Sequence, residues 1–122
     1  MSVSQEIAQL HGEGYKVDVW DQPDGWLFLV FRDYPLPSGY NKSSSELLVK
    51  VPPPYPAAKL DMFWMDADLT LNSGGLPQSC NHEVVNGKVW LRFSWHPNGW
   101  DPRHDNLKTF LNFIRMRLLR RA

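Results

Sequence analysis

One cysteine, two histidines beyond it and a serine between them set out the chemistry this chain could perform. Cys80, the only cysteine, lies in Pro77-Gln78-Ser79-Cys80-Asn81-His82, a polar run that reads as a loop able to expose a thiol. A thiol attacks as its thiolate, and His82 stands close enough in sequence to favour that form. Ser94 precedes His96 by two residues, so on a strand their side chains would share a face. The imidazole of His96 could then act as a base or orient the Ser94 hydroxyl. The plainer alternatives are a cysteine without duty, half covered by neighbouring chain, and a histidine that hydrogen-bonds the backbone and closes the sheet over the last helix. Cys80, His82, His96 and His104 fit no standard zinc spacing, so no metal is expected. Asp61, Asp66 and Asp68 read as solvated loop carboxylates. Trp95 and Trp100 could serve as sugar-stacking platforms, whereas Trp64 and Trp90 read as packing residues.

The elements that must position these groups follow from the pattern. Ser2-Val3-Ser4-Gln5 has capping-box spacing, and Ile7 and Leu10 follow at helical intervals before Gly12 and Gly14 stop a short helix. Val17 and Val19 alternate with polar residues as in a half-buried strand. The turn Gln22-Pro23-Asp24-Gly25 joins it to a β-rich run from Trp26 to Phe31. Tyr34-Pro35-Leu36-Pro37-Ser38-Gly39-Tyr40 reads as a loop. A third strand is expected at about Glu46 to Val51 and a fourth at Met62 to Met65. From Asp66 to His82 the pattern dissolves into an irregular stretch containing Asn72-Ser73-Gly74-Gly75. Asn86-Gly87 between β-prone arms predicts a hairpin, its second arm running through Leu91, Phe93 and Trp95. Leu107, Phe110, Leu111, Ile114 and Leu118 fall on one stripe of a closing helix. The expected fold is α+β: an N-terminal helix, a four-stranded antiparallel meander, an added hairpin and a C-terminal helix in one domain, 1–122.

Composition bounds the partners. The chain has 122 residues, 43% of them hydrophobic, enough for one core. The formal net charge is zero, which argues against nucleic acid or an anionic membrane as the main partner. Arg115, Arg117, Arg120 and Arg121 collect on the last helix, where arginines usually form a solvated face and complement the helix dipole. Met1 to Gly14 is polar, unlike a signal peptide, and no stretch approaches the ~20 apolar residues of a membrane span. A single cysteine allows no internal disulfide and fits a reducing cytoplasm.

Three landmarks then carry a resemblance. Tyr55-Pro56 closes the third strand, Cys80 follows twenty-five residues after Tyr55, and Trp100-Asp101-Pro102 precedes the last helix. In that order they resemble the ubiquitin-conjugating (UBC) superfamily. The chain is more similar still to its prokaryotic UBC-like family E, on Tyr34-Pro-Leu-Pro-x-Gly-Tyr40, Asp61-Met62-Phe63-Trp64, Trp90-x-x-Phe93-Ser94-x-His96 and the stretch Leu107 to Leu111. The resemblance implies a bacterial ubiquitin-like modification system, with an activating enzyme, a ubiquitin-like protein and a JAB-type metallopeptidase as partners. It implies a thioester on Cys80, with Asn72 or Asn81 donating to the oxyanion and His96 assisting. Lys59 and Leu60 stand where the superfamily commonly has two prolines. About twenty residues lie between Cys80 and Trp100, and His96-Pro97-Asn98 follows the cysteine instead of preceding it. Those departures leave a second reading open: a UBC-like module that holds the ubiquitin-like protein or its activating enzyme without a covalent bond.

Overall fold

The computed structural model describes residues 1–121. Helix α1 spans Val3–Gly12, followed by strands β1 (Lys16–Asp21), β2 (Leu27–Pro35), β3 (Ser44–Val51), β4 (Phe63–Asp66), β5 (Cys80–Val85) and β6 (Lys88–Phe93), and by helix α2 (Leu107–Leu119). Ser2 caps α1 through a reciprocal pair of bonds with Gln5, as its spacing predicts. Asn106 and Thr109 cap α2 in the same way.

All six strands join one antiparallel sheet in the order β1-β2-β3-β4-β6-β5. The hairpin is therefore part of the sheet, its second arm hydrogen-bonded to β4 and its first arm forming the far edge. Two expectations need correction here. The first arm starts at Cys80 and not after His82, so the cysteine sits at the start of an edge strand instead of in a loop. The second arm ends at Phe93, which leaves Ser94 to His96 beyond the strand.

Strand alternation divides the sheet into two faces. Leu29, Phe31, Leu47, Val49, Phe63, Met65, Leu91 and Phe93 point to one side and form the main core with Leu10 of α1 and the predicted stripe of α2. Phe63 and Phe93, opposite each other on β4 and β6, stack with ring centroids 4.5 Å apart at the centre of this core. Val30, Leu48, Trp64, Val85 and Trp90 face the other way and form a second cluster without any helical residue. Long charged side chains cover it instead: Lys50 Nζ lies 4.2 Å from the Trp64 ring and Lys88 Nζ 4.3 Å from the Trp90 ring. A ladder of ion pairs crosses the same face, from Asp18 to Arg32 (2.8 Å), on to Glu46, and from Glu46 to Lys88 (2.9 Å).

Two local features place side chains used below. The β2–β3 register shifts between Phe31 and Tyr34, with Asp33 at φ +51, so the extra residue turns Tyr34 back onto the helix side next to the core. The Tyr55–Pro56 bond is cis, and Trp100 donates its indole N–H to Pro56 O at 2.8 Å. The Tyr-Pro corner and the Trp-x-Pro step are thus one contact, and α2 leaves from it. Beside it the buried carboxylate of Glu6 accepts from the Tyr55 hydroxyl (2.8 Å) and from the Leu107 N–H (3.0 Å), joining α1, the corner and the first turn of α2.

Candidate functional site

The fold keeps the candidate residues apart. Cys80 pairs in register with Phe93 and turns its side chain to the helix-side core, where only 8% of it is exposed. Its S–H points to Gln78 O at 3.7 Å. Gln78 O also accepts from Arg117 Nη2 (2.8 Å) and from the Trp95 indole (3.2 Å), so three groups close over one carbonyl. Burial pushes the Cys80 thiol up to about 12, and the nearby Arg117 guanidinium pulls it back only in part. The cation beside the thiol is therefore Arg117, not His82, whose Nε2 is engaged by Ala67 O at 2.8 Å.

A protonated, covered thiol has a measurable consequence. Labelling of Cys80 by a small disulfide reagent at pH 8 should run roughly 10²-fold slower than that of free cysteine, the loss of thiolate being partly offset by the greater nucleophilicity of a high-pKa sulfur. Labelling at the free-cysteine rate in the folded protein would contradict this geometry. The pH dependence has a definite sign. Below the ordinary value of about 9 the thiol is protonated whether folded or unfolded; between about 9 and about 12 only the unfolded chain ionises, so this group's contribution to stability is lost across that window.

Beyond the end of the sheet lies a different arrangement. His96 Nδ1 lies 2.5 Å from Asp61 Oδ1, with about half of the His96 side chain exposed. An ionised carboxylate can only accept, so Nδ1 carries the hydrogen, and in the neutral ring Nε2 is the proton acceptor. The main chain holds the pair in place: Met62 N–H donates to Trp95 O (3.1 Å) and Ser94 N–H to Ser79 O (3.0 Å), extending the pairing beyond the strand ends. Ser94 Oγ accepts from Arg92 Nε (3.1 Å), Arg92 pairs with Glu83 (2.7 Å), and Glu83 in turn accepts from the Trp64 indole (2.8 Å). The Ser94 hydroxyl is thus fixed as an acceptor, with its own hydrogen left to donate.

The structure joins His96 and Asp61 beyond the end of the sheet, while the Ser94 side chain is bonded to Arg92 and no hydrogen bond links it to His96 among the described residues; the Cys80 sulfur lies beneath the helix side. Asn81 follows Cys80 on β5 and projects to the opposite face from it, exposed. Asn72 lies in the exposed turn after Leu71, its backbone N–H bonded to Gly39 O (3.0 Å). No hydrogen bond or ion pair joins either asparagine, or His96, to Cys80 among the described residues. Asp61 is the partner that sequence reasoning missed, along with Arg117. Asp68 is the exposed loop carboxylate expected and pairs with Lys42 at 2.9 Å, whereas Asp66 ends β4, is largely covered and binds the same lysine at 2.7 Å. Trp95 and Trp100 are anchors, the first lying under the Arg117 and Arg120 guanidiniums at 4.3 and 4.8 Å.

A hollow of about 300 Å³ adjoins Asp61, walled by Trp26, Pro52, Met62 and Trp64, with Lys50, Lys59 and Glu83 among its charged lining. Burial holds the Lys50 ammonium below its usual range. Among the described residues no helix is long and apolar enough to cross a membrane.

Comparison with known proteins agrees with this architecture. No curated protein and no solved structure gives a significant match. A family model described as Prokaryotic E2 family E matches residues 3–121. With nearly the whole chain matched, and with the Tyr-Pro corner, the sheet and the closing helix in place, this protein belongs to the prokaryotic E2 family E.

Proposed function

We propose that this protein acts as a conjugating-type transferase of a bacterial ubiquitin-like modification pathway. It accepts the C-terminus of a ubiquitin-like protein from an activating enzyme and passes it to an acceptor. A JAB-type metallopeptidase acting on the same modifier is a further expected partner, and the cytoplasm is the expected setting. The observation that carries this reading is the Asp61–His96 pair: a carboxylate fixing Nδ1–H leaves Nε2 to take the proton of an attacking hydroxyl or thiol. Ser94, two residues before His96 in sequence, is the nucleophile assigned to this pair, and its hydroxyl would have to turn from Arg92 to Nε2. On attack its oxygen would bond to the acyl carbon, its proton would pass to Nε2, and the carrier sulfur would leave. Cys80 remains the other nucleophile and would need the Gln78–Arg117–Trp95 cover to open first.

Incubation with ATP, an activating enzyme and a ubiquitin-like protein, read on non-reducing gels, tests the proposal. An adduct retained in Cys80→Ala and absent in Ser94→Ala assigns an oxygen ester; the reverse pattern assigns a thioester. A second reading is favoured by the buried thiol, namely a module that holds the ubiquitin-like protein without a covalent bond. Binding with no adduct under any condition would establish that reading against the first.

A further inference from the structure

The Tyr34-Pro35-Leu36-Pro37 run meets α2 around a hollow of about 240 Å³ that the transfer site does not use. Its polar lining comes from Tyr15, Tyr34, Lys108, Asn112 and Arg115, without a single aspartate or glutamate. The two prolines of the run, with Leu111 and Leu118, supply apolar walls.

Tyr34 is the informative residue. The bulge in β2 turns its ring into the helix-side core, leaving 7% of the residue exposed. Its hydroxyl makes no hydrogen bond to protein among the described residues and is not one of the fully buried unpartnered atoms, so the oxygen is the part of Tyr34 that reaches the hollow. Burial raises its ionisation to about 12, opposed by the nearby Arg115, so at neutral pH it presents an O–H to the hollow. Arg115 likewise makes no hydrogen bond or ion pair among the described residues. Lys108 is the one cation here with a partner, Glu13 at 3.1 Å, outside the lining. A guanidinium, an ammonium, two phenolic hydroxyls and an amide thus converge with one neighbouring carboxylate to balance two positive charges.

We propose that this hollow binds a small organic anion, a carboxylate or phosphate monoester carried on an apolar body. Arg115 and the Tyr34 hydroxyl would engage its oxygens, and the prolines and Leu111 its body. The site lies on the helix side of the sheet, away from Asp61 and His96, and stands independently of the transfer reading.

Titration of the full chain followed by NMR, at fixed ionic strength, tests this with three probes: phenyl phosphate, benzoate and inorganic phosphate. Saturable shifts at Tyr34, Asn112 and Arg115 are expected with at least one of the organic probes, and the probe that binds more tightly identifies the headgroup. Arg115→Ala should weaken that binding roughly tenfold and Tyr34→Phe severalfold. Arg120→Ala, whose guanidinium lies over Trp95 and outside the hollow, should leave it unchanged. The proposal is overturned if neither organic probe saturates, if inorganic phosphate binds as tightly as both, or if Arg115→Ala binds like Arg120→Ala.

Discussion

Replacing His96 with alanine is expected to slow adduct formation by roughly 10²- to 10⁴-fold, the usual contribution of a positioned general base. The ring is half exposed and held by one carboxylate, so the fold should tolerate its removal, with a melting temperature close to that of the parent. Asp61→Asn is the sharper test. It keeps the size of the side chain but offers Nδ1 either an acceptor or a donor, so the tautomer is no longer fixed. A loss of roughly 10²-fold is expected, with affinity for the ubiquitin-like protein retained. Adduct formation at the parental rate in both variants would remove the pair from the mechanism and leave it as a surface clamp between the start of β4 and the segment after β6.

The second large effect is on stability. Glu6→Ala should destabilise the protein by about 2–4 kcal/mol, because the Tyr55 hydroxyl and the Leu107 N–H both lose their acceptor in a buried place. For a chain of this size that is a fall in melting temperature of roughly 8–15 °C. Glu6→Gln keeps an oxygen acceptor at the same reach and should cost about 1 kcal/mol. Burial first, and then the Glu6 carboxylate, raise the Tyr55 hydroxyl above its usual range, so the bond persists through neutral pH. A double-mutant cycle with Tyr55→Phe isolates the pair, and a coupling indistinguishable from zero would show that the carboxylate serves α2 alone.

Local signals account for the parts of the fold that were legible. The capping box at Ser2, the Asn86-Gly87 turn and the stripe on α2 each lie within a few residues of sequence, and each appears as expected. What stayed hidden depends on pairing between distant segments. Cys80 lies among polar residues, which suggests a loop. The hairpin sets it opposite Phe93, and its burial is completed when β6 pairs with β4 and the sheet packs beneath α2. Asp61 was passed over for the same reason: only when β6 lies along β4 does Trp95 fall opposite Met62, and His96 within reach of the carboxylate. The glutamate that anchors α2 is read in sequence as an ordinary first-turn acid of α1, since its two partners lie 49 and 101 residues away.

The ladder Asp18–Arg32–Glu46–Lys88 has a bearing on how the chain finds its alignment. Its four residues sit on four different strands and meet only when each strand is paired in its native frame. A slip by one position would send every side chain of the moved strand through the sheet. Arg32 or Glu46 would then be thrust among Phe31, Leu47 and Phe63, where a charge has no counterion and no water. The apolar residues alone punish such an error mildly, because both faces carry hydrophobic clusters and a shifted strand could still bury its leucines. The charges make the error prohibitive. They act less as glue for the finished sheet than as a proofreading device against misaligned ones.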